Sequence, residues 1–155
     1  MKIAVLAMGT KMPAWVQQGC AEYIKRLPKE FAFEIKELGL AVRSKTTSTE
    51  SVINAESDKL MDAVPTGYRA IVLDKGGKAW STEQLAEQLS NWQMQGQSLA
   101  FLIGGPDGLS QACVRQADSV WSLSALTLPH PLVRIVLVEQ LYRAWSLLNH
   151  HPYHK

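Results

Sequence analysis

Two uninterrupted apolar runs, Ile3-Ala-Val-Leu-Ala-Met8 and Leu99-Ala-Phe-Leu-Ile103, each closed by glycine, constrain this chain more than any other feature. Both are short and show no polar alternation, which is the pattern of strands covered on two faces. Strands of that kind belong to parallel sheets, and parallel neighbours must be joined by crossovers, usually helices. The rest of the sequence has to supply those helices, and it does.

Pro13 opens a helix in which Trp15, Val16, Cys20, Tyr23, Ile24 and Leu27 recur at helical spacing until Pro28 stops it. Phe31 to Leu38 alternates and reads as a half-exposed strand. Gly39 to Thr49 is polar and reads as a mobile loop, with Arg43, Lys45 and several hydroxyls able to grip a phosphate. Ser48 or Thr49 caps a helix over about 50–63, which ends near Pro65 and Gly67. Tyr68 to Asp74 is then a strand, Gly76-Gly77 a turn, and Ser81 with Gln84 a capping box for an amphipathic helix over 82–95, with Leu85, Leu89 and Trp92 inward. After the Ser98 to Ile103 strand come a short helix from Ser110 to Ala117, a strand from Ser119 to Ser124, a Leu-Pro-His-Pro loop and a long helix from Leu132 to Asn149.

This order predicts one α/β domain over 1–155, with a mainly parallel sheet flanked by helices and ligands beyond the carboxyl ends of the strands. Asp74, Gly104 and the Ser122 to Leu128 run fall at such ends. Cys20 and Cys113 are too few and too far apart for a metal knuckle or a redox pair, and read as buried thiols of a reducing cytosol. No apolar stretch is long enough to span a bilayer, and no small-residue cleavage site follows the first apolar run, so a cytoplasmic chain without membrane attachment is expected. Lys and Arg exceed Asp and Glu by only 16 to 14, which neither demands nor excludes a nucleic-acid partner.

Chemistry concentrates between Leu102 and the end of the chain. The Gly104-Gly105-Pro106-Asp107-Gly108 turn lacks the glycine spacing of a dinucleotide fingerprint or a Walker A loop, but its bare backbone permits close approach of a ligand. Ser122, Ser124 and Thr127 could be nucleophiles with His130 as base, yet no nucleophile elbow surrounds them, and hydroxyls among leucines usually satisfy local backbone groups. His130, between two prolines, fits a structural role as well as a catalytic one. In the last helix Val133, Val136, Leu137, Leu141, Trp145 and Leu148 form a stripe suited to core or subunit interface, while Glu139 and Arg143 are an (i, i+4) pair of the kind that ordinarily forms weak surface bridges. The His150-His-Pro-Tyr-His-Lys155 tail has imidazoles but no further ligands for a metal. Tyr153 and His154 could stack on or bond to an RNA base, with Lys155 on phosphate.

Leu102-Ile-Gly-Gly-Pro-Asp-Gly-Leu-Ser110, Trp121-Ser-Leu-Ser-Ala-Leu-Thr-Leu-Pro-His-Pro-Leu-Val-Arg134, Glu139-Gln-Leu-Tyr-Arg-Ala-Trp145, His151-Pro-Tyr-His154 and Val5-Leu-Ala-Met-Gly-Thr-Lys-Met-Pro13 occur in order along essentially the whole chain. Together they resemble the bacterial ribosomal RNA large-subunit methyltransferase H family, a minimal branch of the SPOUT methyltransferases. The resemblance implies a C-terminal trefoil knot, an exception to the near-absence of knots in proteins. S-adenosylmethionine is the implied cofactor, surrounded by Leu73, Gly104, Leu123, Ser124, Ala125, Leu126, Thr127 and Leu128. The implied reaction is methylation of N3 of a pseudouridine in 23S ribosomal RNA of the assembled ribosome. By the same resemblance His154, Glu139 and Arg143 are the catalytic candidates, Tyr153, Lys155 and His130 face RNA, and no metal takes part. A homodimer is expected, with the leucine- and tryptophan-bearing face of the last helix as its interface and the tail of one subunit at the other's cofactor pocket. Two positions depart from the family pattern: Asp107 stands where Glu is expected, and Lys155 where Arg is expected. Alternatives from the same residues are a SPOUT enzyme acting on transfer RNA or another base, and a ribosome-binding protein without catalysis.

Overall fold

The structure, a computed structural model, describes residues 1–154. Five strands, β1 (Ile3–Met8), β2 (Glu34–Leu38), β3 (Tyr68–Ala79), β4 (Ser98–Ile103) and β5 (Ser119–Ser122), form one sheet in the order β2-β1-β4-β3-β5. Every pairing is parallel. The four crossovers carry α1 (Ala14–Ile24), α2 (Thr49–Asp62), α3 (Thr82–Met94) and α4 (Gln111–Gln116), and α5 (His130–Leu148) follows the last strand.

The two apolar runs occupy inner positions, and the strand period of two divides each between separate cores. Ile3, Val5, Leu99 and Phe101 pack under α1, α3 and α5, with Val16, Leu89, Leu137 and Leu141. Leu6, Met8, Ala100 and Leu102 face α2 and α4, meeting Leu60 and Cys113. Three of the helices begin on a serine whose hydroxyl accepts an early N–H: Ser48 for α2, Ser81 within a full capping box for α3, and Ser110 for α4. Both cysteines are free and buried, and burial pushes their thiols up.

Four expectations are corrected. Phe31 is not a strand residue: Lys29–Phe31 forms a 3-10 turn and Ala32 takes φ +42°, because Phe31 is an anchor plugged into the core at 2 % exposure. Gly76-Gly77 is no turn. The strand β3 continues through it with a register shift against β5, and a Cβ on Gly77 would lie 2.7 Å from the backbone of Val120 and Trp121, so the glycine marks close approach of two backbones. The loop around His130 is already helix, since Pro131 in the first turn gives up an N–H that has no partner there. Finally, Leu137 and Leu141 are fully buried by the chain itself, so these two leucines of the α5 stripe are core and are not open to a second subunit. Each such side chain contributes about 2 kcal/mol through burial.

Among the described residues no helix is long and apolar enough to cross a membrane, and no cluster of metal-ligating side chains occurs.

Candidate active site

Beyond the ends of β4 and β5, and beside Leu73 to Lys75 in the middle of β3, a cleft of about 270 Å³ opens. Leu73 brings β3 to it, Gly104 and Gly105 follow β4, and Leu123, Ser124, Leu126, Thr127 and Leu128 follow β5. Ala125 belongs to the same segment but does not line the cleft. His130 does line it, from the first turn of α5, away from Tyr153, which was also expected to face RNA.

The cleft walls are mostly backbone and apolar side chain, and the packing behind them explains the residue types. A Cβ on Gly104 would lie 2.8 Å from Leu109, and one on Gly105 would strike the Glu56 carboxylate. Ser122 donates its hydroxyl to the Ser124 carbonyl at 3.1 Å, while the Ser124 hydroxyl accepts the Leu126 N–H at 2.9 Å. Both serines therefore shape the Leu123 to Leu128 segment, and neither is set up as a nucleophile. Lys75 reaches across from β3 and donates to the Thr127 hydroxyl at 2.7 Å. Burial, and then the nearby Arg134 charge, hold the His130 imidazole below its ordinary range, so the ring is neutral near pH 7.

A second cluster lies toward the other end of α5. The Glu139 carboxylate accepts from Arg143 Nε at 2.8 Å, from Gln140 at 2.7 Å and from the Tyr153 hydroxyl at 3.0 Å. Arg143 lies 4.9 Å from the Tyr153 ring centroid, and its pair with Glu139 raises its pKa. Burial, reinforced by Glu139, pushes the Tyr153 phenol up to about 12. The expected weak surface bridge is thus part-buried and shared among three donors. His154 closes the Pro152–His154 turn, with Nδ1 against the His151 carbonyl oxygen. Lys155 lies outside the described residues.

Within one chain the cleft and this cluster do not meet. Helical rise separates His130 from Glu139 by roughly 13 Å and from Arg143 by roughly 20 Å. Two contributors were missed from sequence. Arg26, just past the end of α1, sits against Tyr142 and Tyr153, 5.7 and 5.8 Å from their centroids; the sequence marks it only as one of a basic cluster with Lys25 and Lys29 that could meet phosphate. Glu56 is 1 % exposed on α2, and its spacing from Val52 and Leu60 at i, i+4, i+8 was a readable sign of an inward acid.

Residues 1–154 match the family model described as "Predicted SPOUT methyltransferase". The chain is 58 % identical over 155 residues to the ribosomal RNA large subunit methyltransferase H of Saccharophagus degradans, covering all of both chains. Over full length it is also similar to proteins of the same name from Teredinibacter turnerae, at 56 %, and from a Marinomonas species, at 50 %.

Proposed function

The chain belongs to the SPOUT methyltransferase family, and from that premise we propose that it methylates N3 of a pseudouridine in 23S ribosomal RNA of the assembled ribosome, with S-adenosylmethionine as donor. The observation that carries this reading is the cleft beyond the ends of β4 and β5 and beside Leu73 to Lys75 of β3, walled by bare glycine backbone and by the Leu123 to Leu128 segment, in a chain that matches ribosomal RNA methyltransferases end to end.

The residues present fit such a donor. Gly104, Gly105, Leu123, Thr127 and Leu128 bring backbone to the cleft where a polar ligand can meet it, while Leu73, Leu109 and Val133 supply apolar wall. When bound, S-adenosylmethionine supplies an electrophilic methyl group. N3 of the acceptor carries a weakly acidic proton that must leave before the nitrogen becomes a nucleophile. His154 takes that proton. Arg143 counters the negative charge that develops on the base, and Glu139, with its oxygens engaged by Arg143, Gln140 and Tyr153, orients the guanidinium. Tyr153 and Lys155 hold the RNA, and His130 lines the donor cleft beside the place where RNA enters.

The separation along α5 leads to the second element of the proposal. The enzyme is a homodimer in which the Glu139–Arg143–Tyr153 cluster of one copy serves the cleft of the other. Gly19 of α1 packs on Ile135 of α5 and Arg26 on Tyr142, so the two helices run parallel. Their N-terminal turns expose Trp15 and Leu132, at 51 % and 40 %, which are apolar surface for a second copy. The proposal includes the family's trefoil knot, formed by the chain from β5 into α5. It places the work in the cytoplasm, where ribosomes are, and calls for neither metal nor membrane.

The test is transfer of labelled methyl to intact ribosomes, free subunits and transfer RNA in parallel, with mass-spectrometric mapping of the product. Label on a 23S pseudouridine N3 in intact ribosomes is expected. Product on transfer RNA or another base would replace the acceptor, and ribosome binding without any transfer would replace catalysis by a binding role.

A further inference from the structure

The polar segment between β2 and α2 is fastened by a buried carboxylate that the proposed reaction does not use. Glu56, 1 % exposed on α2, accepts the Ala41 N–H at 2.9 Å and both terminal nitrogens of Arg43, at 2.9 and 3.1 Å. Arg43 also donates from Nε to Asp107 of the glycine turn at 3.2 Å, and from Nη1 to the Ala41 carbonyl at 3.1 Å. Its pKa is raised, first through the bonds to Glu56. Two further residues of α2 add to this: Lys59 holds the same segment by donating to the Gly39 carbonyl, and Ser57 accepts the Ser110 N–H just beyond the glycine turn, each at 2.9 Å. Arg43 is therefore committed inside the molecule and is not the free phosphate grip that its loop suggested.

These bonds converge on the glycine turn from behind the cleft. Gly105 lines the cleft, and the direction in which its missing side chain would point is filled by Glu56 Oε1, with Leu40 3.4 Å away. A buried ion pair is a weak source of stability, and a well-packed apolar residue on the Val52–Leu60 stripe would serve the fold as well. An apolar residue could not bind Ala41 and Arg43 at once, nor reach Asp107 through the forked guanidinium.

We infer that Arg43 and Glu56 are positioning residues of the methyl-donor cleft, clamping Asp107 and the Gly105 backbone so that the glycine turn keeps the shape that receives S-adenosylmethionine. This rests on the cofactor reading of the cleft. It also gives a use to the departure at Asp107: the short acid is the turn's handle for Arg43.

The experiment is calorimetric titration of the full chain with S-adenosylhomocysteine, for wild type, Arg43→Ala, Arg43→Lys and Glu56→Gln, together with separate KM values for cofactor and for ribosomes. Arg43→Ala, at the part-exposed end of the clamp, is expected to stay folded and to weaken binding about tenfold. Arg43→Lys, which keeps the charge but cannot fork, should fall between it and wild type. Glu56→Gln, which keeps an acceptor for Ala41, should weaken binding about fivefold, and KM for ribosomes should stay within about twofold throughout. Unchanged affinity in folded Arg43→Ala, or a rise in the ribosome KM alone, would overturn the inference while leaving the cofactor reading intact. A wild-type chain that takes up no S-adenosylhomocysteine would overturn both.

Discussion

The two ends of α5 are built on opposite plans. At its start the cleft is made of backbone and apolar surface, with serine hydroxyls spent on holding a loop and the one imidazole kept neutral. Near its end the cluster is made of side-chain charge and aromatic rings, with Glu139 shared by Arg143, Gln140 and Tyr153. A region that must fit one constant ligand can be specified by shape and by packing behind the wall. A region that must manage a proton and a developing charge needs groups whose ionisation is set by their neighbours. The difference teaches that mutations at the two ends should separate donor binding from methyl transfer.

The sharpest way to break that contrast is Arg143→Ala. Losing the guanidinium should lower kcat by about a hundredfold or more while donor affinity stays within about twofold; a matching loss of donor affinity would merge the two regions into one. Next in size is Gly105→Ala, whose added Cβ must displace the buried Glu56 carboxylate. It should weaken donor binding and cost about 2 kcal/mol of stability by overpacking, both readable by calorimetry and denaturant melts. Unaltered stability would mean that the turn is not braced from behind. Tyr153→Phe removes a single hydrogen bond to Glu139, and about a fivefold fall in kcat/KM is expected with donor affinity untouched.

The smallest effect concerns pH. The folded pKa of His130 lies below its ordinary value, so on acidification the unfolded chain takes up that proton first. The contribution of His130 to stability is complete above the ordinary imidazole range and is lost as pH falls through it toward the folded value. Thermal melts from pH 7.5 to 5 should show a slope that His130→Asn flattens; an unchanged slope would assign the acid sensitivity to other groups.

Much of this was legible in the chain itself, for reasons that differ by element. The runs at Ile3 and Leu99 could be placed because a strand covered on both faces has a pattern no surface element shares. Gly76-Gly77 misled because a glycine pair marks a turn and a close approach of backbones equally well, and only the neighbouring strand decides between them. Leu137 and Leu141 of α5 fitted core and interface alike in the sequence, and only the packing of α1 and α3 makes them core. At the cleft, Gly104 and the Leu123 to Leu128 segment, Ala125 excepted, could be placed from motif position, whereas Glu56 and Arg26 act through tertiary contacts that no local window contains.

The division along α5 is tested most directly by complementation. Arg143→Ala, defective at the cluster, is mixed with Leu126→Arg, which places a cation on the exposed edge of the donor cleft where it would repel a positively charged donor. Neither variant alone should methylate ribosomes. After random subunit exchange, about a quarter of the sites should pair an intact cleft with an intact cluster from the other copy, and activity should return to that level. Mixed dimers shown by native mass spectrometry, with no activity recovered, would contradict the account.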